Sequence, residues 1–343
     1  MTRKSSSVTI RDVAKHVVVS VATVSRYINK KAPVSQEVAE RISQVMMDLN
    51  YSPHVGARNL ATRRMRTIGL VVHNMHTDFF APLLSGIEQV VSENQYNLLV
   101  ATYKSSAHNN SQPPLGPHNT DGILVFADSL SEEQLTQFCR SKFPLVLIHR
   151  TPPPYLKIPF VTVENKAATR KMIDHLIDVH RRRSIIFLRG PYGQEDSHWR
   201  EQGYIGALEA HGIPVNPNLV LDGEFDGSIA YKTIQNLLAK NHRSFDAIFT
   251  GDDDAAIGVL TALREAGIRV PEDVSVAGFD DSRLSPFLSP PLSTVRAPTQ
   301  EVGQAATRQL FRLLQEEYPD PETLLPTEII LRRSCGCTHK AEN

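Results

Sequence analysis

The sequence predicts a small all-α domain at the N-terminus, followed by a larger α/β body made of two similar subdomains. Three observations support this prediction. Apolar residues recur at helical spacing over residues 9–49, strand and helix patterns alternate from residue 67 onward, and positive charge is concentrated before residue 67. At 343 residues, the chain is long enough for two or three domains.

The N-terminal pattern is that of a helix-turn-helix. Thr9 precedes apolar residues at spacings of three and four, and Asp12 is placed to exchange hydrogen bonds with the helix start. Ser20 reads as a second N-cap, followed by a helix rich in small and polar residues. The second helix of such a motif fits the major groove of DNA. Ser35 begins a third helix, and the break at Tyr51-Ser52-Pro53 ends it.

Charge is divided unevenly along the chain. Residues 1–66 carry twelve lysines and arginines against four acidic residues, whereas the remainder carries 25 basic and 33 acidic residues. A basic head on an acidic body indicates a polyanion-binding module joined to a part that does not bind polyanions. A solubilising basic tail is the alternative, and the helix-turn-helix pattern disfavours it.

The body alternates between strand and helix patterns. Strand patterns lie at 67–72, 96–102, 122–127, 144–149, 160–164, 184–188, 218–222, 246–250 and 274–279. Helical patterns lie at 82–94, 131–141, 166–179, 198–211, 228–240, 254–266 and 301–316. This alternation predicts parallel sheets covered by helices, and so many strands fit two Rossmann-like subdomains with a cleft better than one open sheet. Residues 104–119 hold three prolines and one glycine, so we expect a loop there and no helix.

Several protein classes are disfavoured. No apolar run reaches the ~18 residues that a membrane span needs, and the N-terminus lacks an apolar signal core, so we expect a cytoplasmic protein. Cys139 stands alone, while Cys335 and Cys337 form a C-x-C pair. Because two cysteines do not close a zinc site and no paired histidines lie nearby in the sequence, we expect incidental thiols and no metal ion.

The chain contains, in this order, the segments TIRDVAKHVVVSVATVSRYIN, YSPHVGARNLAT, TIGLVV, TDGILVF, HLIDVHRRRSIIFL, REQGYIGALEAHGIPV, GDDDAAIGVL, REAGIRVPEDVSVAGFDD and SPPLSTVRAP. This ordered set resembles the LacI family of bacterial transcription regulators along nearly the whole chain. The resemblance implies a DNA-binding headpiece over 1–53, a hinge over 54–66, and a body over 67–343 that is similar to periplasmic sugar-binding proteins. It also implies a homodimer, or a dimer of dimers, that binds a double-stranded DNA operator under the control of a small effector, with no other cofactor. The residues after Ile330 show no heptad leucines, which favours the dimer.

The resemblance also implies which residues contact DNA. Val21 and Ala22 open the recognition helix and face base edges, and Arg26 is placed to pair with O6 and N7 of a guanine. Small donors that reach phosphates are expected at Thr9, Ser20, Thr23, Asn29 and Ser35. For Thr9 and Ser20, capping alone is the alternative.

Two further features concern the hinge and the turn. In the family, the leucine of an A-R-x-L segment is inserted into a base step of the minor groove, and here this segment is Ala57-Arg58-Asn59-Leu60. A plain flexible linker is the alternative. The family usually has glycine at the position of Val18, and a β-branched residue is strained at positive φ.

The effector is expected between the two subdomains of the body. The resemblance implies contacts from Asn74, Phe79, Arg200, Phe225, Asp253 and Asp280, and Gln194 and Asp196 add contacts from the loop before Arg200. Carboxylates and a guanidinium bind vicinal hydroxyls while aromatic rings cover an apolar sugar face, so the chemistry fits a sugar or sugar derivative. The alternatives are bracing of the loop by Asp280, core packing by Phe79 and Phe225, and helix-dipole roles for Asp252 and Asp254.

The sequence therefore predicts a transcriptional repressor controlled by a sugar. A solute-binding protein would need a signal peptide and no basic headpiece. An α/β enzyme is disfavoured, because no Gly-rich phosphate loop, G-x-S-x-G or H-E-x-x-H motif is present. A regulator that no longer responds to a ligand is left open by the interruption at 104–119.

Overall fold

The computed structural model describes residues 8–29, 33–51, 64–75, 77–104, 112–240 and 245–337. The chain divides into two compact units, Met1–Met65 and Arg66–Asn343, which we call the headpiece and the body. No helix in the described ranges is both long and apolar enough to cross a lipid bilayer. The predicted hinge, apart from its last three residues, lies outside them.

The described part of the headpiece contains three helices, α1 (Ile10–Val17), α2 (Val21–Asn29) and α3 (Gln36–Asp48). Their apolar faces meet in a small core whose buried members are Val13, Ala14, Val17, Val24 and Ile42. Arg41 of α3 donates to the backbone oxygen of Val17 at 2.7 Å, which satisfies a carbonyl at the end of α1. The helix starts predicted from the sequence are confirmed.

Within its described residues, the body contains two six-stranded sheets. The first consists of β1 (Thr67–Val72), β2 (Asn97–Thr102), β3 (Gly122–Phe126), β4 (Leu145–Ile148), β5 (Phe160–Val163) and β11 (Glu322–Leu325). Its spatial order is β11-β5-β4-β3-β1-β2, and every pairing is parallel.

The second sheet consists of β6 (Ile185–Arg189), β7 (Val220–Asp222), β8 (Ala247–Thr250), β9 (Ser275–Asp280), β10 (Ser293–Arg296) and β12 (Glu328–Ile330). Its order is β12-β10-β9-β8-β6-β7, and only the edge strand β12 is antiparallel to its neighbour. The predicted arrangement of two α/β subdomains is confirmed.

Helices cover both sheets, and each sheet with its helices is here called a lobe. The first lobe has α4 (Phe80–Glu93), α5 (Glu132–Arg140) and α10 (Thr299–Leu314), and the second has α6 (Asn165–Asp178), α7 (Glu195–Ala210), α8 (Gly227–Ala239) and α9 (Asp253–Glu265). Each lobe holds two apolar clusters. Strands buried on both faces read as continuous apolar runs, which explains why they could be recognised in the sequence.

Three strands were not predicted. The pattern STVR of β10 is short, and three of its four residues are polar, while β11 and β12 are edge strands with exposed residues. Because such strands lack a continuous apolar run, the periodicity gives no signal for them. They matter for the architecture, since the chain passes between the lobes after β5, after β10 and after β11.

The interruption at 104–119 is described in part. Residues 112–119 form turns without a helix, in agreement with the expectation, whereas 105–111 lie outside the described residues. Leu115 is buried in the core of the first lobe, so this loop returns to the sheet and packs against it.

Candidate functional site

The N-terminus of α1 is closed by Thr9 and Asp12. The Asp12 carboxylate accepts from the Thr9 backbone N–H at 2.8 Å and from its hydroxyl at 2.7 Å. These two hydrogen bonds lower the pKa of Asp12 and keep it ionised. The predicted exchange at this helix start is present, and Thr9 stays exposed.

The turn between α1 and α2 contains a strained residue. Val18 adopts the left-handed conformation, with φ 60° and ψ 48°, and its side chain is 82% exposed. The Val19 backbone N–H donates to the Ala14 oxygen at 3.0 Å, which closes the end of α1. The left-handed backbone is therefore strained at Val18, and its exposed side chain makes no buried contacts that would offset this strain.

Helix α2 divides into a buried and an exposed face. Val24 is fully buried against α1 and α3, whereas Val21, Ala22 and Arg26 are exposed together. Ser20 caps the helix, since its hydroxyl accepts from the Thr23 backbone N–H at 3.1 Å. The exposed face thus carries two small apolar side chains and one guanidinium, as a base-reading surface requires.

Of the remaining predicted DNA contacts, some lie at the starts of α2 and α3, and the others lie outside the residues that the structure describes. Ser20 and Thr23 share a hydrogen bond of 2.9 Å between their hydroxyls, and Ser35 is exposed just before α3. The Asn29 side chain, Ala57 and Leu60 lie outside what the structure describes.

A cavity of about 490 Å³ lies in the body between the two lobes. Its walls come from the carboxyl ends of strands in both sheets, where parallel α/β sheets usually bind ligands. It includes seven of the eight predicted effector residues, namely Asn74, Phe79, Gln194, Asp196, Arg200, Phe225 and Asp280.

Arg200 is the central cation of this cavity and is only 3% exposed. Its Nε donates to Asn165 Oδ1 at 2.8 Å, and one of its terminal nitrogens donates to the Gly251 oxygen. The other terminal nitrogen lies 3.6 Å from Asp280 and 3.9 Å from Asp196. The guanidinium also lies 3.6 Å from the centre of the Phe279 ring, so it is held on every side before any ligand arrives.

Asp196 links Arg200 to the first lobe. Its Oδ2 lies 2.9 Å from His149 Nδ1, and its Oδ1 accepts from Asn165 at 2.7 Å. Burial alone would raise the pKa of Asp196, but the charges of His149 and Arg200 and these hydrogen bonds together lower it. Asp196 is therefore a buried, ionised carboxylate. The structure places it in the first turn of α7, one helical turn before Arg200, and not in a loop as expected.

Aromatic rings line both sides of the cavity. Phe79 packs against Phe126 and His149 in the first lobe, with 5.7 Å between ring centres in each pair. Phe225 lies opposite, in the second lobe, and its ring occupies the space that a Cβ would need at Gly190. A side chain at that glycine would displace the ring, so the local sequence keeps this aromatic surface in place.

Two acceptors in the cavity wall are left without hydrogen bonds. Asp280 Oδ1 and Gln194 Oε1 are buried and have no hydrogen-bond partner within the part of the chain that is described. Burial raises the pKa of Asp280 well above its usual value, and burial also raises that of Asp252 to about 7. A ligand that donates hydrogen bonds would satisfy these oxygens.

Asp253 does not belong to this cavity, in contrast to the sequence prediction. Its carboxylate accepts from the Ser282 backbone N–H at 2.8 Å, from the Thr294 hydroxyl at 2.6 Å and from the Ser285 hydroxyl. It braces the loop after β9, and its acceptors are already used. Asp252 and Asp254 have the helix-start roles given above as the alternative, since Asp252 caps α9 and Asp254 accepts from the Gly227 N–H.

Sequence reasoning missed the two side chains that hold Asp196 and the partners of the C-terminal cysteines. His149 and Asn165 contact Asp196, and only His149 had a usable signal, because it directly follows β4 at the carboxyl end of the strand. The sequence shows no paired histidines near Cys335 and Cys337, but the fold brings His175 and His180 beside them, so the expectation that they have no histidine partners was wrong.

Comparison with known proteins agrees with this description. Residues 9–54 match the family model "Bacterial regulatory proteins, lacI family", and residues 173–335 match a periplasmic binding protein-like domain. The chain is similar to a probable transcriptional repressor, ExuR, of Bacillus subtilis, at 31% identity over 95% of this chain and 98% of that protein. It is also similar to the ribose operon repressor of Haemophilus influenzae, at 34% identity over 95% of this chain and 98% of that protein.

Solved structures give the same result for the fold. A complex of the regulator CelR with cellobiose aligns with a TM-score of 0.72 at 29% identity, covering 95% of this chain and 99% of that one. The lac repressor dimer bound to operator and an anti-inducer aligns with a TM-score of 0.82 at 23% identity, covering 96% and 99%.

Proposed function

Because this chain belongs to the LacI family of bacterial regulatory proteins, we propose that it is a repressor whose operator binding is controlled by a neutral sugar in the cavity between its lobes. Two of its relatives, ExuR and the ribose operon repressor, are named transcriptional repressors, and the chain is a DNA-binding transcription regulator and not an enzyme. We further propose that it acts in the cytoplasm as a homodimer whose two headpieces bind the half-sites of a near-palindromic operator.

The exposed face of α2 supports the DNA-binding part of this proposal. Val21 and Ala22 offer apolar contact to a thymine methyl group, and Arg26 offers two parallel donors to one guanine. Ser20 and Thr23 at the helix start are placed for phosphates, which the helix dipole also favours. The hinge leucine, Leu60, completes the proposal as a minor-groove wedge.

The two buried oxygens without a hydrogen bond carry the assignment of the effector. Asp280 Oδ1 and Gln194 Oε1 need donors, Arg200 offers donors beside them, and Phe79 and Phe225 offer apolar faces. A sugar ring combines hydroxyl donors and acceptors at its edge with apolar C–H faces, so it satisfies all of these groups at once. The cavity volume falls within the usual range of about 300–1,000 Å³ for small-molecule sites.

The charge of the cavity distinguishes a neutral sugar from an acidic one. Its lining includes two cationic side chains, Lys104 and Arg200, against six acidic ones, namely Asp128, Asp196, Glu224, Asp226, Asp252 and Asp280. Two of these acidic side chains, Asp196 and Asp280, already lie within 4 Å of the Arg200 guanidinium. A uronate or a sugar phosphate would add negative charge to a site with an excess of acids, which is unfavourable in a partly buried environment.

The contacts across the cavity suggest how binding reaches the DNA. The Thr151 backbone N–H and hydroxyl both donate at 2.5 Å to the Glu195 carboxylate of the other lobe, and His149 contacts Asp196 across the same gap. A ligand between these contacts changes the free energy of closure of the lobes. In a dimer, closure alters the spacing of the two hinges and hence operator affinity.

The experiment that tests this proposal is calorimetry on the full chain with a panel of neutral pentoses, hexoses and disaccharides beside matched uronates and sugar phosphates. We expect a neutral sugar to bind, and Arg200→Lys to weaken binding at least about 10-fold because lysine cannot keep the contacts with Asn165 and Gly251 that place the cation in the cavity. Arg189→Lys is the matched control, since Arg189 pairs with Asp222 and is not in the cavity lining. Binding of only the acidic sugars, or equal losses in both variants, would refute the assignment.

A further inference from the structure

Four metal-binding side chains meet in the second lobe, away from the cavity. His175 lies in the last turn of α6, His180 follows that helix, and Cys335 and Cys337 lie at the end of the described chain. Their ligand atoms all lie within 4.8 Å of one another. Cys335 is fully buried and the other three are partly buried, so the cluster is shielded from solvent.

The distances within this cluster match a tetrahedral metal site. The two histidine Nε2 atoms are 3.2 Å apart, and Cys337 Sγ lies 3.3 Å from His175 Nε2 and 3.4 Å from His180 Nε2. Cys335 Sγ lies 3.9 Å from His175 Nε2. A tetrahedral Zn²⁺ with usual bond lengths separates two nitrogens by about 3.3 Å and a nitrogen from a sulphur by about 3.5 Å. The ligand atoms are thus already spaced around a point that one ion would occupy.

The cysteine segment is held firmly against the sheet. The Ser275 hydroxyl donates to the Cys335 oxygen at 2.7 Å, and the Ser334 hydroxyl donates to the Val276 oxygen at 2.7 Å, both of them buried. Gly336 has φ 113°, and a Cβ there would lie 2.9 Å from the His180 ring. Only glycine therefore lets the chain turn between the two cysteines while the imidazole approaches, which makes the C-x-C spacing usable for two ligands.

The histidines present suitable ligand atoms. Both rings place Nε2 beside the Cys337 thiol, at 3.3 Å for His175 and 3.4 Å for His180. Neutral imidazole nitrogens are common zinc ligands.

We propose that His175, His180, Cys335 and Cys337 bind one Zn²⁺ ion in a closed structural site. Two thiolates and two imidazoles in tetrahedral arrangement select zinc among the common divalent ions, and four protein ligands leave no open position for catalysis. Each thiol gives up its proton to solvent when the metal binds, so occupancy falls as the pH is lowered. The site would fasten the C-terminal segment to α6, whose first residue, Asn165, contacts Asp196 and Arg200 in the cavity.

The proposal is tested on the full chain purified without chelator, by elemental analysis and by Co²⁺ titration of metal-stripped protein. We expect about one zinc per chain, and with Co²⁺ a thiolate-to-metal charge-transfer band that saturates at one equivalent. Adding Zn²⁺ to stripped protein should raise Tm by about 5 °C or more. A wild-type protein that binds no Zn²⁺, or that binds Co²⁺ without a thiolate band, overturns the proposal without needing any variant.

Variants identify the ligands. Cys337→Ser and His180→Gln should each weaken zinc affinity at least about 100-fold, since loss of a ligand costs more than loss of a residue that supports one. Cys139→Ser and His211→Gln are matched controls outside the cluster and should keep wild-type affinity. Equal effects in both sets would overturn the assignment, as would mass spectrometry showing a disulfide between Cys335 and Cys337 in protein purified under reducing conditions.

Discussion

His149 and Asp196 join the two lobes across the cavity, with 2.9 Å between ring Nδ1 and carboxylate Oδ2. His149 directly follows β4 of the first lobe, and Asp196 lies in the first turn of α7 in the second. Both side chains are almost fully buried, at 2% and 10% exposed. The pair therefore connects the two lobes beside the proposed effector site.

We expect this pair to show strong energetic coupling. In a double-mutant cycle with His149→Gln and Asp196→Asn, the coupling energy in urea unfolding should be about 1–3 kcal/mol, because the pair is desolvated. The control is the more exposed pair His211 and Asp174, which lies within one lobe at 3.0 Å and should couple by less than about 1 kcal/mol. Equal coupling in the two pairs would show that the cross-cavity contact has no special weight.

The strained turn predicts a gain in stability. Val18→Gly should stabilise the headpiece by roughly 0.5–1 kcal/mol, because left-handed backbone costs a β-branched residue about 1–2 kcal/mol and the greater freedom of glycine in the unfolded chain offsets part of the gain. This gain in stability is measured by amide hydrogen exchange of α1 and α2 in the full chain. Val19→Gly, which removes a partly buried contact with the headpiece core, should destabilise the same helices. A loss of protection in Val18→Gly would contradict the strain.

Arg26 is predicted to read a base. Arg26→Ala should lose about 1–3 kcal/mol of discrimination at one base pair per half-site. Discrimination at the other base pairs of the operator should stay as in the wild type. Lys15→Ala, at an exposed position of α1, should instead weaken all sequences alike and reduce the salt slope by about 1. The measurement is fluorescence anisotropy on a set of single-base operator variants. A uniform loss for Arg26→Ala would reduce this residue to a phosphate contact.

Asp252 predicts a pH dependence of stability. Burial raises its pKa from 3.8 to about 7, so the folded state binds this proton more tightly than the unfolded state. The resulting stability is fully present below about pH 4 and is lost as the pH rises through about 7, by up to about 1.4 kcal/mol per pH unit. Asp252→Asn keeps a side-chain cap for α9 and should flatten this fall.

Urea unfolding of wild type and variant between pH 5 and pH 8 measures this effect. The control is Asp226→Asn, an exposed cap at the start of α8, which should keep the wild-type pH dependence. If wild type and Asp252→Asn lose stability in parallel as the pH rises, another group is responsible for the change.

The sequence predicted the lobes because their central strands are continuous apolar runs and their helices are amphipathic. The family resemblance supplied Arg200, Phe225 and Asp280 of the cavity lining. Asp253 was misjudged because a triplet of aspartates does not reveal which carboxylate finds donors elsewhere in the fold. Asp253 braces a loop and Asp252 lines the cavity, and this difference becomes visible only from the hydrogen bonds and positions in the folded structure.

Long-range contacts explain the remaining omissions. His149 meets Asp196, and the thiol of Cys337 meets His180 157 residues earlier in the chain. Sequence periodicity describes one element at a time and gives no information on which strand ends become neighbours. The sheet order supplies that information, since it brings the C-terminal segment beside β9 and the end of α6.

Selection of DNA duplexes from a random library by the full chain, at physiological ionic strength, tests the regulatory role most directly. The selected pool should converge on a two-fold symmetric sequence, and its affinity should change when a neutral sugar occupies the cavity. A pool without symmetry, bound no better than scrambled duplex by protein whose headpiece helices are folded, would contradict the assignment of this chain as an operator-binding repressor.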